Sequence, residues 1–327
     1  MYKTIMVPTD CSGFDREAIR VGLRIAQRTE ATLHLVRVRT ISGFTETAST
    51  PHGVGFPARY EGDAALTELT ALGTECRASG YDDVVISLED GPIADVLAGY
   101  ATRNEVDLIV ISSHARGGLS RFSLGSVTDS LIRHTTIPVL VVKPPASYLN
   151  PQVRDDFRRI VVPLDGSPLA EQILRSMAAL ARLEDAEITL LHVQSLNEEN
   201  HNQRPFQPRS WSETSVAASQ AYLSGIAGEL RSAGLTSTCE VVIGNNPAEE
   251  IAAYAAREGA DLIAIATHGR GGLSRMLRGS VADSVTRSAR TSILVLHPIQ
   301  KAVTWKGHDT SNGLPRPTQR LKAKVSR

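Results

Sequence analysis

The chain repeats itself. Residues 107–144 align without a gap to residues 261–298 at an offset of 154, and 20 of those 38 positions are identical, including an unbroken RGGLSR at Arg116–Arg121 and Arg270–Arg275. The openings match too: KTIMVPTDCS (Lys3–Ser12) is similar to RRIVVPLDGS (Arg158–Ser167), with Asp10 and Asp165 offset by 155. Self-similarity on this scale reads as two copies of one domain. A length of 327 residues also predicts two, at roughly 100–200 residues per domain. The expected division is a first domain over 1–145, a linker over 146–157 within the Pro- and Asn-bearing stretch Pro144–Asp156, a second domain over 158–300 and a tail over 301–327.

Each copy presents the same order of signals. A short β-branched run (Thr4–Val7; Ile160–Val162) is followed by Asp-x-Ser, then by apolar residues spaced three and four apart: Ile19, Leu23 and Ala26 in the first copy, Ile173, Met177 and Leu180 in the second. Further apolar runs at 33–38, 84–88, 108–111 and 139–142 recur at 188–193, 238–243, 262–266 and 293–296, with helical stretches between them. Pro92 and Pro247 suit a first helical turn, where a missing N–H costs nothing. Strands alternating with helices, and apolar enough to be covered on both faces, imply an α/β fold: two tandem doubly wound open parallel sheets with helices on both sides. In that class, ligands sit outside the carboxyl ends of the strands where strand order reverses. The positions singled out are Asp10 and Asp165, Val38 and Val193, and the loops 112–126 and 266–280.

Composition narrows the class of partner. With 42% hydrophobic residues the chain is not disordered throughout, and three cysteines cannot staple it as a disulfide scaffold. The formal net charge of zero is a cancellation between −3 over 1–150, −3 over 151–300 and +6 over 301–327. Mildly acidic domains argue against nucleic-acid binding by the folded halves, whereas the basic, Pro- and Gly-bearing tail reads as disordered and able to touch an acidic surface. No apolar run reaches the ~18 residues that cross a bilayer, and the N-terminus shows no signal-peptide pattern, so a cytoplasmic location is expected.

The loops suggest chemistry while leaving alternatives open. Gly125-Ser126 and Gly279-Ser280 each place small residues at a helix start, where free N–H groups and the helix dipole favour an anion; serine there also works simply as a helix cap. Arg116, Arg121, Arg270, Arg275 and Arg278 lie in or beside these loops as phosphate contacts or as solvated surface. Asp10 and Asp165 are placed either to accept bonds from a ribose or adenine amino group, or to cap the next helix. The signatures GxxxxGK[ST], GxGxxG after the first strand, and GxSxG are all missing. His114 and His268 are the only histidines in register, with no Cys or second His at metal spacing, and no metal site is expected. Cys11 stands beside Asp10 as a thiol near any ligand.

Taken together, VPTDCS and VPLDGS, LVRV and LLHV, DLIVISSHARGGLSRFSLGS and DLIAIATHGRGGLSRMLRGS make the chain resemble a tandem universal stress protein over about residues 1–300. The resemblance implies Rossmann-like five-stranded sheets related to the adenine nucleotide α-hydrolase fold, and pairing of last strands between tandem domains or in a homodimer. In one branch it implies ATP, or AMP or ADP, with or without Mg, on a loop of pattern G-x2-G-x9-G-[ST]. Carried over residue by residue, the second copy places Asp165, Val193, Ala266, Gly269, Gly279, Ser280 and Val281 at the nucleotide. The first places Asp10, Val38, Ser112, Ala115, Gly125, Ser126 and Val127 there. Ala266 replaces one leading glycine, whereas Ser112 and Ala115 replace both, so the second copy keeps more of the pattern.

The expected function is adenine-nucleotide binding by a stress-response or signalling module that changes conformation or association, with no catalytic residue assigned. A weak ATPase or nucleotidyl transferase, with Asp10, Asp165 or His268 placing water or metal, and a structural pseudo-dimer that binds nothing are the alternatives. The long polar insertions 40–63 and 195–215 differ completely between copies and read as lids, binding loops or disorder.

Overall fold

The computed structural model describes residues 1–40, 58–113, 124–143, 156–195, 213–267 and 281–298. The first half runs β1 (Thr4–Pro8), α1 (Arg16–Thr29), β2 (Thr32–Arg39), α2 (Ala58–Ala78), β3 (Val84–Asp90), α3 (Ile93–Arg103), β4 (Leu108–Ser112), α4 (Ser126–His134) and β5 (Val139–Val142). The second repeats it as β6 (Arg159–Pro163), a 3-10 turn (Ala170–Gln172), α5 (Ile173–Glu184), β7 (Glu187–Ser195), α6 (Glu213–Ser232), β8 (Ser237–Gly244), α7 (Pro247–Arg257), β9 (Leu262–Ala266), α8 (Val281–Ser288) and β10 (Ser292–Leu296).

Among the described residues, ten strands join one sheet in the order β3-β2-β1-β4-β5-β10-β9-β6-β7-β8. Pairing is parallel within each half, and the halves meet where β5 and β10 run antiparallel, Val139 opposite Val295 and Val141 opposite Ile293. The sheet is hydrophobic on both faces because helices cover both. In β1, Ile5 and Val7 enter one core layer with Leu33, Leu35 and Leu69, while Met6 enters the other with Leu97, Ile109 and Leu131. Both layers continue into the second half, through Ile160 and Leu223 on one face and Ile263 and Val285 on the other.

Close approach sets the position of α1. Its apolar stripe, Ala18, Ile19, Val21, Ile25 and Ala26, is buried on the sheet. Gly22 lets the helix settle there, since a Cβ at that position would lie 2.6 Å from Val7 Cγ2. Each half ties the start of its first strand in the same way. Asp107 Oδ2 accepts from the N–H groups of Lys3 (2.7 Å) and Thr4 (3.2 Å), and Asp261 Oδ2 from those of Arg158 (3.0 Å) and Arg159 (2.8 Å).

Charged side chains also join the halves. Glu184, at the end of α5 and fully buried, accepts from Arg24 and Arg28 on α1, the latter at 2.8 Å. Arg24 lies 5.7 Å over the Phe157 ring and reaches Asp156 at 3.5 Å. On the opposite layer, Arg133 of α4 pairs with Asp283 of α8 at 3.3 Å, and Arg287 of α8 with Asp129 of α4 at 3.0 Å.

Candidate functional site

In the first half, strand order moves from β1 outward to β2 and β3, then returns to β4 and β5 on the other side of β1. The reversal falls between β1 and β4, the position that topology marks for a ligand. A cavity of about 700 Å³ opens there. That lies within the range of small-molecule sites, ~300–1,000 Å³. It is lined by the β1–α1 loop (Asp10, Ser12, Phe14, Asp15), the end of β2 (Val36–Thr40), α2 (Ala64, Ala65, Glu68), α3 (Ile93, Leu97), the end of β4 (Ile111, Ser112) and the start of α4 (Gly125–Thr128). Of the first-copy positions carried over from the family pattern, Asp10, Val38, Ser112, Gly125, Ser126 and Val127 all border this one cavity; Ala115 lies outside the described residues.

The Asp-x-Ser turn has its own geometry. Asp10 Oδ1 accepts from the Ser12 N–H at 2.9 Å, and Asp165 Oδ1 accepts from the Ser167 N–H at 2.9 Å. Each aspartate thus closes a short turn on itself. The middle residue is left-handed in both: Gly166 has φ +80° and Cys11 has φ +59°. Helix α1 starts at Arg16 with Asp15 at its N-cap position, so the reading of Asp10 as the cap of the next helix does not hold. Asp10 is half-buried, whereas Asp165 is exposed.

Asp15 is the residue that the sequence reading missed. It is buried, and its Oδ2 accepts from the Thr9 hydroxyl, from the Asp10 N–H at 3.1 Å and from the Cys11 N–H at 3.2 Å. Its side chain does not cap α1. The second half has no counterpart. Leu169 and Ala170 stand there, and Ser167 Oγ accepts from the Ala170 N–H at 3.1 Å instead.

The opposite wall is a helix start. Gly125 takes the N-cap position of α4 without a side-chain cap bond, and Ser126 is its exposed first residue. The capping role considered for Ser126 is therefore not the one it has. Backbone N–H groups of the first turn, with the positive end of the helix dipole, face the cavity and suit an anion. Val38 and Val127 pack on the core beneath and give an apolar floor. On the α2 side Arg37 donates to Glu68 Oε2 at 2.6 Å and to the Ala65 carbonyl at 3.3 Å, and Arg39 makes a two-pronged bond to Asp90 at 2.7 and 2.8 Å. Burial pushes the Cys11 thiol above its ordinary pKa, which disfavours the reactive thiolate.

The corresponding strand ends of the second half carry different side chains. Strand register makes His192 the counterpart of Arg37, and its Nδ1 lies 2.8 Å from the Leu164 carbonyl. Tyr222 occupies the position of Glu68, one residue before the matching buried Leu223 and Leu69, and its hydroxyl donates to Glu171 at 3.0 Å. Burial and Glu171 both raise the Tyr222 pKa. Val193 is half-buried on β7, Ala266 ends β9 in the core, and Val281 opens α8. Gly269, Gly279 and Ser280 lie outside the described residues, as do His114, His268, Arg116, Arg121, Arg270, Arg275, Arg278 and most of both polar insertions. Among the described residues no group of three or more His, Cys, Asp or Glu is placed to hold a metal, and no helix is long and apolar enough to cross a membrane.

Comparison with known proteins agrees with this architecture. A universal stress protein of Mycobacterium tuberculosis is 27% identical over 226 residues, covering 69% of this chain and 71% of that protein. The crystal structure of a universal stress protein from Archaeoglobus fulgidus superposes with a TM-score of 0.64 at 17% identity, covering 90% of this chain and 98% of that one, and shows the shared fold. A half-length structure from the same organism, in complex with dAMP, matches 43% of this chain and 98% of that one at 24% identity with a TM-score of 0.33. The universal stress protein family model matches twice, over residues 1–143 and 156–297, and the chain belongs to that family as a tandem member.

Proposed function

We propose that the protein binds an adenine nucleotide, ATP or its mono- or diphosphate relatives, at the carboxyl ends of its strands, and that binding biases its conformation or association. The observation that carries this reading is the convergence of Asp10, Val38 and the Gly125–Val127 helix start on one cavity at the strand-order reversal. The parts suit such a ligand. A half-buried carboxylate can accept from a ribose or amino group, an apolar floor can take a base, and a helix start can take phosphate. The second half repeats the turn at Asp165 and would take the same ligand class among different side chains. The antiparallel junction of β5 and β10 supports reading the two halves as a dimer built within one chain.

Equilibrium dialysis of purified, ligand-stripped protein against labelled ATP, ADP and AMP tests the proposal. Occupancy near one or two per chain is expected, with Asp10→Ala and Asp165→Ala each removing one share. Occupancy below about 0.1 per chain at millimolar nucleotide would sink it, because even a Kd of ~1 mM half-fills a site there. Phosphate release measured on the same samples reads out turnover.

A further inference from the structure

The two halves solve one backbone problem by different means. A left-handed residue follows each of the two aspartates, and in the second half it is Gly166, which adopts that conformation freely. The first half supplies Cys11, whose Cβ makes the same conformation unfavourable. The compensation lies in Asp15. Its carboxylate gathers the Thr9 hydroxyl and the N–H groups of Asp10 and Cys11 on a single oxygen. Bonds to an ionised acceptor are the strong kind, and this one is buried, where water competes poorly.

We propose that Asp15 is the positioning residue of the first cleft: it holds the strained Thr9–Asp10–Cys11 turn so that Asp10 borders the cavity, and ligand affinity in the first half, but not the second, depends on it. This rests on the reading of the cleft as a nucleotide site. Asp15 acts through Asp10. Replacing it leaves Asp10 present on a turn that relaxes toward negative φ at Cys11.

The test uses the full chain carrying Asp165→Ala, so that bound ATP reports the first cleft. Adding Asp15→Ala is expected to weaken ATP binding about tenfold, the scale of losing charge-assisted bonds. Adding Cys11→Gly to that variant is expected to recover affinity to within about threefold, because glycine needs no lock. If Asp15→Ala does not fold, as circular dichroism will show, Asp15→Asn takes its place with the same rescue. Unchanged affinity without Asp15, or a loss that Cys11→Gly fails to repair in a folded protein, overturns the proposal. Amide exchange without ligand keeps the two readings apart. The Asp10 N–H should exchange at least about tenfold faster once Asp15 is replaced, as a backbone donor freed of a partner does, whereas the Cys11 N–H keeps Thr9 Oγ1 at 3.0 Å. A parent chain that binds no nucleotide refutes the nucleotide reading, while exchange rates still decide whether Asp15 holds the turn.

Discussion

Arg133 reaches from α4 to Asp283 on α8 across 3.3 Å, and the same contact is returned by Arg287 to Asp129 at 3.0 Å. The four residues are two repeats of one Asp-x3-Arg pattern, 154 positions apart. Each copy therefore supplies both charges needed to meet the other. The pairs are part-exposed, so each is worth only ~0.2–1 kcal/mol. Arg133→Glu should destabilise the chain by about 1 kcal/mol, since Asp283 and Asp129 would then both face a like charge. Asp283→Arg added to it should restore about half or more of the loss. Urea unfolding of the four members of this cycle gives the coupling, and a coupling of zero would show that the reciprocal geometry has no energetic content.

Glu184 is a different case because its own carboxylate is shut away from water. Its side chain is 0% exposed, and its two guanidinium partners come from the other half. Removing one member of a buried charge set leaves the others uncompensated, at ~3–5 kcal/mol. Glu184→Ala should lower unfolding stability by about 3 kcal/mol, whereas Arg28→Ala, at the 40%-exposed edge of the cluster, should cost ~1 kcal/mol or less. Equal effects of the two substitutions would mean that the cluster is not organised around the glutamate.

Lys143 predicts a pH dependence. It follows β5 at the junction, its Nζ donates to the Thr286 carbonyl on α8 at 3.1 Å, and burial lowers its pKa from 10.5 to about 8. The folded chain therefore loses this proton near pH 8 while the unfolded chain keeps it to about 10.5. Between those values the unfolded state binds more protons, so this residue's contribution to stability rises with pH; below pH 8 both states are protonated and the full burial cost remains. Lys143→Met should be the more stable chain at pH 7, by on the order of 1–3 kcal/mol, since a pKa unit is ~1.4 kcal/mol. The difference between the two chains should shrink from pH 8 to 10. A flat difference across that range would assign the lysine an ordinary, solvated environment.

For Cys11 the expectation is slowness. Burial raises its pKa, so at neutral pH it carries less thiolate than a free cysteine. Iodoacetamide should label it several-fold more slowly in the native chain than in urea, read by mass spectrometry of the peptide that contains it. Faster labelling in the native state would mark it as an activated thiol after all.

Repetition and apolar runs made the strands legible. β4 and β9, LIVIS and LIAIA, could hardly be anything but strands covered on both faces. The cleft was legible in part, because Asp10, Val38 and Gly125 sit where strand ends and helix starts must lie in this topology. Asp15 was hidden for a physical reason. An aspartate just before an amphipathic helix reads as a cap, and comparison of the copies gives no hint, since the second half dispenses with it by using Gly166. Glu184 was equally invisible. A charged residue at a helix end reads as surface, and what buries it is α1, more than 150 residues earlier in the chain.

The antiparallel meeting of β5 with β10 makes the molecule bipolar. Every strand of one half runs against every strand of the other, so the carboxyl ends of β1–β5 and of β6–β10 point in opposite directions. A ligand at the strand ends of one half would lie on the opposite edge of the sheet from a ligand at those of the other. Communication between the halves can run through the central backbone ladder, the shared core layers and the ion pairs of Glu184 and Asp283. A bivalent ligand, for its part, would string chains end to end.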